Sequence, residues 1–152
     1  MIKTAHKIIA TFFYSGYFPV APGTFGSLIA LLVWLFLPAG LLLKGLLLFG
    51  IIVLGFGATQ SFISELNVQD PGFIVIDEVA GLWLALFLIN VVHGPAIIWS
   101  GAGFILFRLF DILKPFPISY VEKYKGAMGI MLDDIVAGGF AALIIIIMTL
   151  VV

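Results

Sequence analysis

The sequence predicts an all-α protein: a polytopic membrane helical bundle of about five transmembrane helices, preceded by a short N-terminal amphipathic helix. Three observations carry that prediction. Hydrophobic residues make up 63% of the 152 residues and charged ones only 10%, a balance outside that of soluble globular chains. Uncharged apolar stretches recur along the chain, separated by short segments that hold most of the prolines and charges. Each stretch approaches the roughly 20 residues that a helix needs to cross a bilayer. By length the chain, residues 1–152, is one membrane-embedded domain.

Residues 1–14, with Lys3, His6 and Lys7 ahead of Ile8 to Tyr14, read as a short amphipathic helix or surface segment ended by Gly16 and Pro19. The apolar part is short and runs into Gly-Tyr-Phe-Pro, so a cleaved signal peptide is not expected. Pro19 to Ser27 reads as a loop by its prolines and glycines, with Thr24 or Ser27 available to cap the next helix. A first span covers Phe25 to Leu43, with Pro38 and Gly40 able to end it early, and Lys44 marks a tight turn. Gly45 to Ile63 is the second span, Glu65 returns the chain to water, and Asn67 to Gly72 is a polar loop.

The third span runs from about Phe73 to Val92, with Asp77 and Glu78 one turn inside it. After the turn His93-Gly94-Pro95, the fourth span covers Ala96 to Leu113 and carries Arg108 and Asp111 near its end. Lys114-Pro115-Phe116-Pro117 stops that helix, because proline lacks a donor and restricts the residue before it. Ser119 to Lys125 reads as a polar, helical connector. The fifth span starts near Gly129, carries Asp133 and Asp134 at its mouth, and continues uncharged from Ile135 to Val152.

Alternating these spans across a membrane has one consequence for function. The third span begins on the face where the fourth ends and the fifth begins. Asp77 and Glu78, Arg108, Asp111 and Lys114, and Asp133 and Asp134 therefore gather at one membrane face, joined there by the Ala21–Ser27 segment. The same face carries Lys3, Lys7, Lys123 and Lys125, and the other only Lys44, so the positive-inside tendency makes the gathering cytoplasmic.

Adjacent carboxylates at a membrane surface repel unless a cation neutralises them. Carboxylate oxygens from separate segments suit a hard divalent ion, Mg²⁺ most readily, which is usually shared with a substrate phosphate. Arg108 and Asp111 are three residues apart on one helix face, with Lys114 two turns on from Arg108. A guanidinium and an ammonium beside a metal are a common means of holding phosphate, so the set reads as phosphoryl chemistry on a lipid. Plainer readings exist for parts of it: a macrodipole preference for Asp133 and Asp134, an intrahelical ion pair for Arg108–Asp111, headgroup anchoring for Lys114, Lys123 and Lys125. Gly23 and Gly26 could shape a loop over a phosphate or form a turn without a role. His6 and His93 read as interfacial residues.

A net charge of −1 gives no case for nucleic acid, and the absence of cysteine excludes disulfides, thiolate metal sites and a cysteine nucleophile. The Asp-x-x-Asp-Gly run expected of a phosphoalcohol transferase is also absent. A small cation channel or transporter with an acidic interfacial site is the alternative from another class, although its charges belong nearer the midplane.

Four blocks in order resemble the phosphatidylglycerophosphatase A family: Gly16-Tyr17-Phe18-Pro19 with Ala21 to Ser27; Val75-Ile76-Asp77-Glu78-Val79-Ala80-Gly81; Phe107-Arg108-Leu109-Phe110-Asp111 with Lys114-Pro115-Phe116-Pro117; and Gly129-Ile130-Met131-Leu132-Asp133-Asp134 with Ala137-Gly138. The resemblance implies a Mg²⁺-dependent, multi-pass phosphatase of bacterial phospholipid synthesis in the inner (cytoplasmic) membrane. Its substrate would be the phospholipid phosphatidylglycerophosphate and its products phosphatidylglycerol and inorganic phosphate. Carried onto this chain, it makes Asp77, Glu78, Asp133 and Asp134 the metal and catalytic acids. It makes Arg108 and Lys114 phosphate-binding groups with Asp111 behind them, and Thr24 and Ser27 substrate contacts.

Overall fold

A computed structural model describes residues 4–38, 40–67 and 71–151, and among these every regular element is helical. The order is α1 (Thr4–Ala10), a 3-10 turn (Ser15–Tyr17), α2 (Pro22–Phe36), α3 (Leu41–Leu66), α4 (Ile76–His93), α5 (Ile97–Leu113), α6 (Ile118–Val121) and α7 (Ala127–Val151). The all-helical expectation holds, and five helices form the bundle. Among the described residues, α3, α4 and α7 are by length and composition the helices long and apolar enough to cross a membrane. The first expected span is corrected to 15 residues, because the chain leaves helical geometry at Leu37, ahead of Pro38 and Gly40. α5 has 17 residues, within one residue of the expected bounds at its start.

Of the segment expected to be a loop, Pro19 to Ser27, the part up to Ala21 is non-helical as expected, but from Pro22 on it is instead the start of α2. Proline suits the first helical position, since its missing N–H needs no partner there and its φ is already set. The glycines serve close packing: a Cβ on Gly26 would press at 3.0 Å on Val75, and one on Gly23 would collide with the Glu78 carboxylate. Thr24 and Ser27 therefore lie inside the helix and cap nothing; Ala21 is the N-cap and lacks a side-chain cap bond. Lys44 likewise marks no turn. It lies within the first turn of α3 and is buried, donating from Nζ to the Trp34 carbonyl at 3.2 Å. The polar loop expected from Asn67 lies partly outside the described residues. The connector before α7 is helical only over Ile118–Val121 and then turns.

α4 forms the centre of the bundle, packed by α2, α3, α5 and α7. Of its residues 61% are buried, against 22% and 33% in the best membrane-spanning stretches of α3 and α7. The outer helices turn Phe36, Leu42, Phe49, Ile97 and Leu150 outward, the inversion expected where hydrocarbon replaces water. α1 packs against α3, and its last residue accepts a hydrogen bond at 3.0 Å from Val75 N, just ahead of α4.

α4 and α7 run parallel and touch backbone to backbone at Gly81 and Gly138, where a Cβ on Gly138 would strike the Gly81 carbonyl. Small residues at such a crossing let backbones touch, which drives helix association in lipid. The crossing lies one turn beyond both Glu78 and Asp134, and so sets the spacing of the acids. Gly138→Leu is expected to destabilise the protein by about 1–3 kcal/mol through forced separation of the helices. Gly139→Ala, whose Cβ would meet nothing within 4 Å, should leave thermal unfolding in detergent unchanged. Equal melting of the two variants would count against this packing.

Candidate active site

The expected gathering at one end of the bundle is present. Asp77 and Glu78 occupy the first turn of α4, slightly earlier than expected because the helix starts at Ile76. Asp134 reaches them from the second turn of α7, and one carboxylate oxygen from each of the three lies within 4.8 Å of the others. Asp77 and Asp134 are buried, and Asp77 Oδ1 and Glu78 Oε2 are enclosed without a hydrogen-bond partner. A buried carboxylate oxygen left without a donor is costly, and three carboxylates this close repel strongly. The donor set is all oxygen, hard and crowded, so the residues present fit a divalent cation of the Mg²⁺ type.

Asp133 takes a different position. Successive residues on a helix point about 100° apart, and Asp133 Oδ2 accepts from Lys114 Nζ at 2.7 Å while its Oδ1 accepts from the Asp134 amide at 3.0 Å. The structure thus brings together three of the four expected acids and pairs the fourth with Lys114. The same ammonium donates to Glu122 Oε1 at 2.8 Å. Sequence reasoning missed Glu122; its signal was an acid in the connector between the helix ending at Lys114 and the helix carrying Asp133. Partial burial alone would lower the Lys114 pKa, but the hydrogen bonds and charges of Asp133 and Glu122 outweigh it and hold the ammonium above its ordinary range.

Lys114 and Asp133 also line a cleft of about 390 Å³ with Glu122, Lys123 and Lys125.

Arg108 closes the other side. Its NH1 pairs with Asp111 Oδ2 at 2.6 Å and donates to Ser27 Oγ at 3.3 Å, and its NH2 donates to Thr24 Oγ1 at 3.2 Å. Arg108 Nε is buried without a partner. Ser27 is fully buried, and its own hydroxyl proton goes to the Gly23 carbonyl at 2.8 Å. Thr24 is exposed. Gly23 leaves room between the two charged groups: a Cβ there would collide with Glu78 and come within 3.5 Å of Arg108 NH2. The two cations, Arg108 and Lys114, thus flank a group of acids from three helices.

Fold and site together define a helical membrane protein whose buried acids and flanking cations meet at one end of the bundle. The chain matches the profile of the phosphatidylglycerophosphatase A family over residues 8–149. It is 38% identical to Phosphatidylglycerophosphatase A of Escherichia coli (strain K12) over 139 residues, which cover 89% of this chain and 78% of that protein. It is also 38% identical to the Haemophilus influenzae protein of the same name over 143 residues, 91% of this chain and 85% of that one. A Bacteroides thetaiotaomicron protein, 37% identical over 145 residues, covers 91% of this chain and 89% of its own length; its provisional name gives another lipid, phosphatidylinositol-3-phosphatase. No solved structure matches the chain. The chain belongs to the phosphatidylglycerophosphatase A family and is an enzyme of the phosphatase class.

Proposed function

We propose that this protein hydrolyses the terminal phosphate monoester of phosphatidylglycerophosphate, releasing phosphatidylglycerol and inorganic phosphate in bacterial phospholipid synthesis. The observation that carries the reading is the juxtaposition of two unpartnered buried carboxylate oxygens, Asp77 Oδ1 and Glu78 Oε2, with the Arg108 guanidinium across Gly23. Anionic and cationic faces this close suit a ligand that is itself an anion bound through a cation. A Mg²⁺ ion held by Asp77, Glu78 and Asp134 would supply charge neutralisation and Lewis acidity at the phosphoryl oxygens.

The chain's own groups do the rest. Arg108, oriented by Asp111, Ser27 and Thr24, binds the phosphate oxygens, and the Thr24 hydroxyl proton remains available to them. Lys114, held by Asp133 and Glu122, adds positive charge at the cleft mouth. Hydrolysis replaces the bond from phosphorus to the glycerol oxygen with one from phosphorus to a water oxygen, and the departing oxygen takes a proton. Lys7, Arg108, Lys114, Lys123 and Lys125 lie towards the site end and Lys44 towards the other, which supports a site facing the cytoplasm in the inner membrane.

The test is phosphate release by detergent-purified protein from phosphatidylglycerophosphate, phosphatidylinositol 3-phosphate and phosphatidic acid, with and without Mg²⁺. Metal-dependent release that is fastest on phosphatidylglycerophosphate is expected. No release from any of the three, together with cation flux in liposomes, would overturn the reading in favour of a channel.

Lys114 yields a pH prediction. With its pKa raised above the ordinary 10.5, the contribution of its ion pairs to stability is complete below that value and is lost only as pH rises through the elevated one. Lys114→Met should therefore reduce phosphate release by about tenfold and by a constant factor from pH 6 to 9. Convergence with the wild-type protein towards pH 9 would show that the ammonium deprotonates there.

A further inference from the structure

At the end of the bundle opposite the acids, α2 closes, α3 and α5 begin and α4 ends. Trp34, Leu35, Phe36, Lys44, Asn90 and Ser100 line a cavity of about 330 Å³ there. Lys44 is only 7% exposed, its Nζ 4.5 Å from the Trp34 ring centroid. An ammonium has three protons to donate, and the Trp34 carbonyl takes one of them. Every acidic side chain among the described residues lies towards the other end of the bundle, so none of them is a counter-ion for Lys44. Two residues lining the same cavity each carry an enclosed polar atom without a partner: Asn90, only 8% exposed, at Oδ1, and Trp34 at Nε1.

An enclosed cation, an unused indole N–H and an unused amide oxygen ask for one ligand that is anionic, accepts at two points and donates at another. We infer that this cavity binds the headgroup of an anionic glycerophospholipid in the leaflet facing away from the acidic site. The phosphate accepts from Lys44, and a turn of the Trp34 and Asn90 side chains brings their unused N–H and amide oxygen to the phosphate and to a headgroup hydroxyl. The cavity lies at the helix ends, where lipid phosphates reside, and the exposed Phe36 and Ile97 beside it offer apolar contact to the first carbons of the chains. A cationic side chain left enclosed in an apolar bundle is costly, and a lipid phosphate offsets that cost without any acid of the protein.

Native mass spectrometry of the full chain in detergent tests this, with dioleoylphosphatidylglycerol, dioleoylphosphatidylcholine and inorganic phosphate as separate probes. The wild-type protein should hold phosphatidylglycerol in preference to phosphatidylcholine. Lys44→Met should lose one phosphatidylglycerol adduct, with about tenfold weaker binding, and keep its phosphatase activity, whereas Lys44→Arg should retain the adduct. Asn90→Leu removes the amide without touching the charge and should lower the preference for phosphatidylglycerol, which keeps the test open if Lys44→Met does not fold. Unchanged phosphatidylglycerol adducts in both Lys44→Met and Asn90→Leu would overturn the inference, as would inorganic phosphate occupying the site as tightly as the lipid. Since phosphate release is read separately, a failure here leaves the proposed activity standing.

Discussion

Asp134→Asn is expected to abolish phosphate release to within measurement, a loss of about 10³-fold, while the protein still extracts and melts like the wild type. The amide keeps the shape of the side chain, so packing at the Gly81–Gly138 crossing is preserved. It removes one of the three negative charges that converge within 4.8 Å, and places a donor where a cation would need an oxygen. Titrating Mg²⁺ separates the outcomes: if a cation is held here, the variant should need far more metal for any residual turnover. Full activity at ordinary Mg²⁺ would remove Asp134 from the site. Asp133→Asn should behave differently, because its partner is Lys114 and not the cluster; an effect nearer tenfold is expected.

Arg108→Lys should cost about 10²-fold although the charge is retained. The guanidinium spans three partners at once, Asp111, Ser27 and Thr24, and an ammonium cannot reproduce that planar fork. The loss is expected in both kcat and KM for the phosphorylated lipid, because orientation and binding fail together. Asp111→Asn, which leaves the fork in place but loosens it, should fall between the wild type and Arg108→Lys. Wild-type kinetics for Arg108→Lys would mean that the residue serves only to join α2 to α5.

Most of the architecture could be read from the chain because charges are so sparse in it. When Arg108, Asp111, Asp77 and Asp134 interrupt otherwise apolar helices, alternation alone brings them to one end. The split of the acids into three plus one is not legible locally: adjacent Asp77 and Glu78 both reach the cluster from the first turn of α4, whereas adjacent Asp133 and Asp134 part because Lys114 takes Asp133. Pro22 to Ser27 could not be read correctly from local signals. Proline and glycine mark loops on average, and the reason for Gly23 and Gly26 lies in Glu78 and Val75, some fifty residues away. The burial of Lys44 and the hold of Glu122 on Lys114 have the same character: each depends on a partner that only the folded bundle supplies.

The two short members of the bundle, α2 with 15 residues and α5 with 17, are also the ones that bear Thr24, Ser27, Arg108, Asp111 and, at the end of α5, Lys114. At 1.5 Å per residue they reach only about 22–25 Å, less than the roughly 30 Å of hydrocarbon around them. Lipid beside such helices thins to match them. A headgroup plane dipping on that flank would let the phosphorylated lipid of the proposed reaction meet Arg108 sideways, without leaving its leaflet.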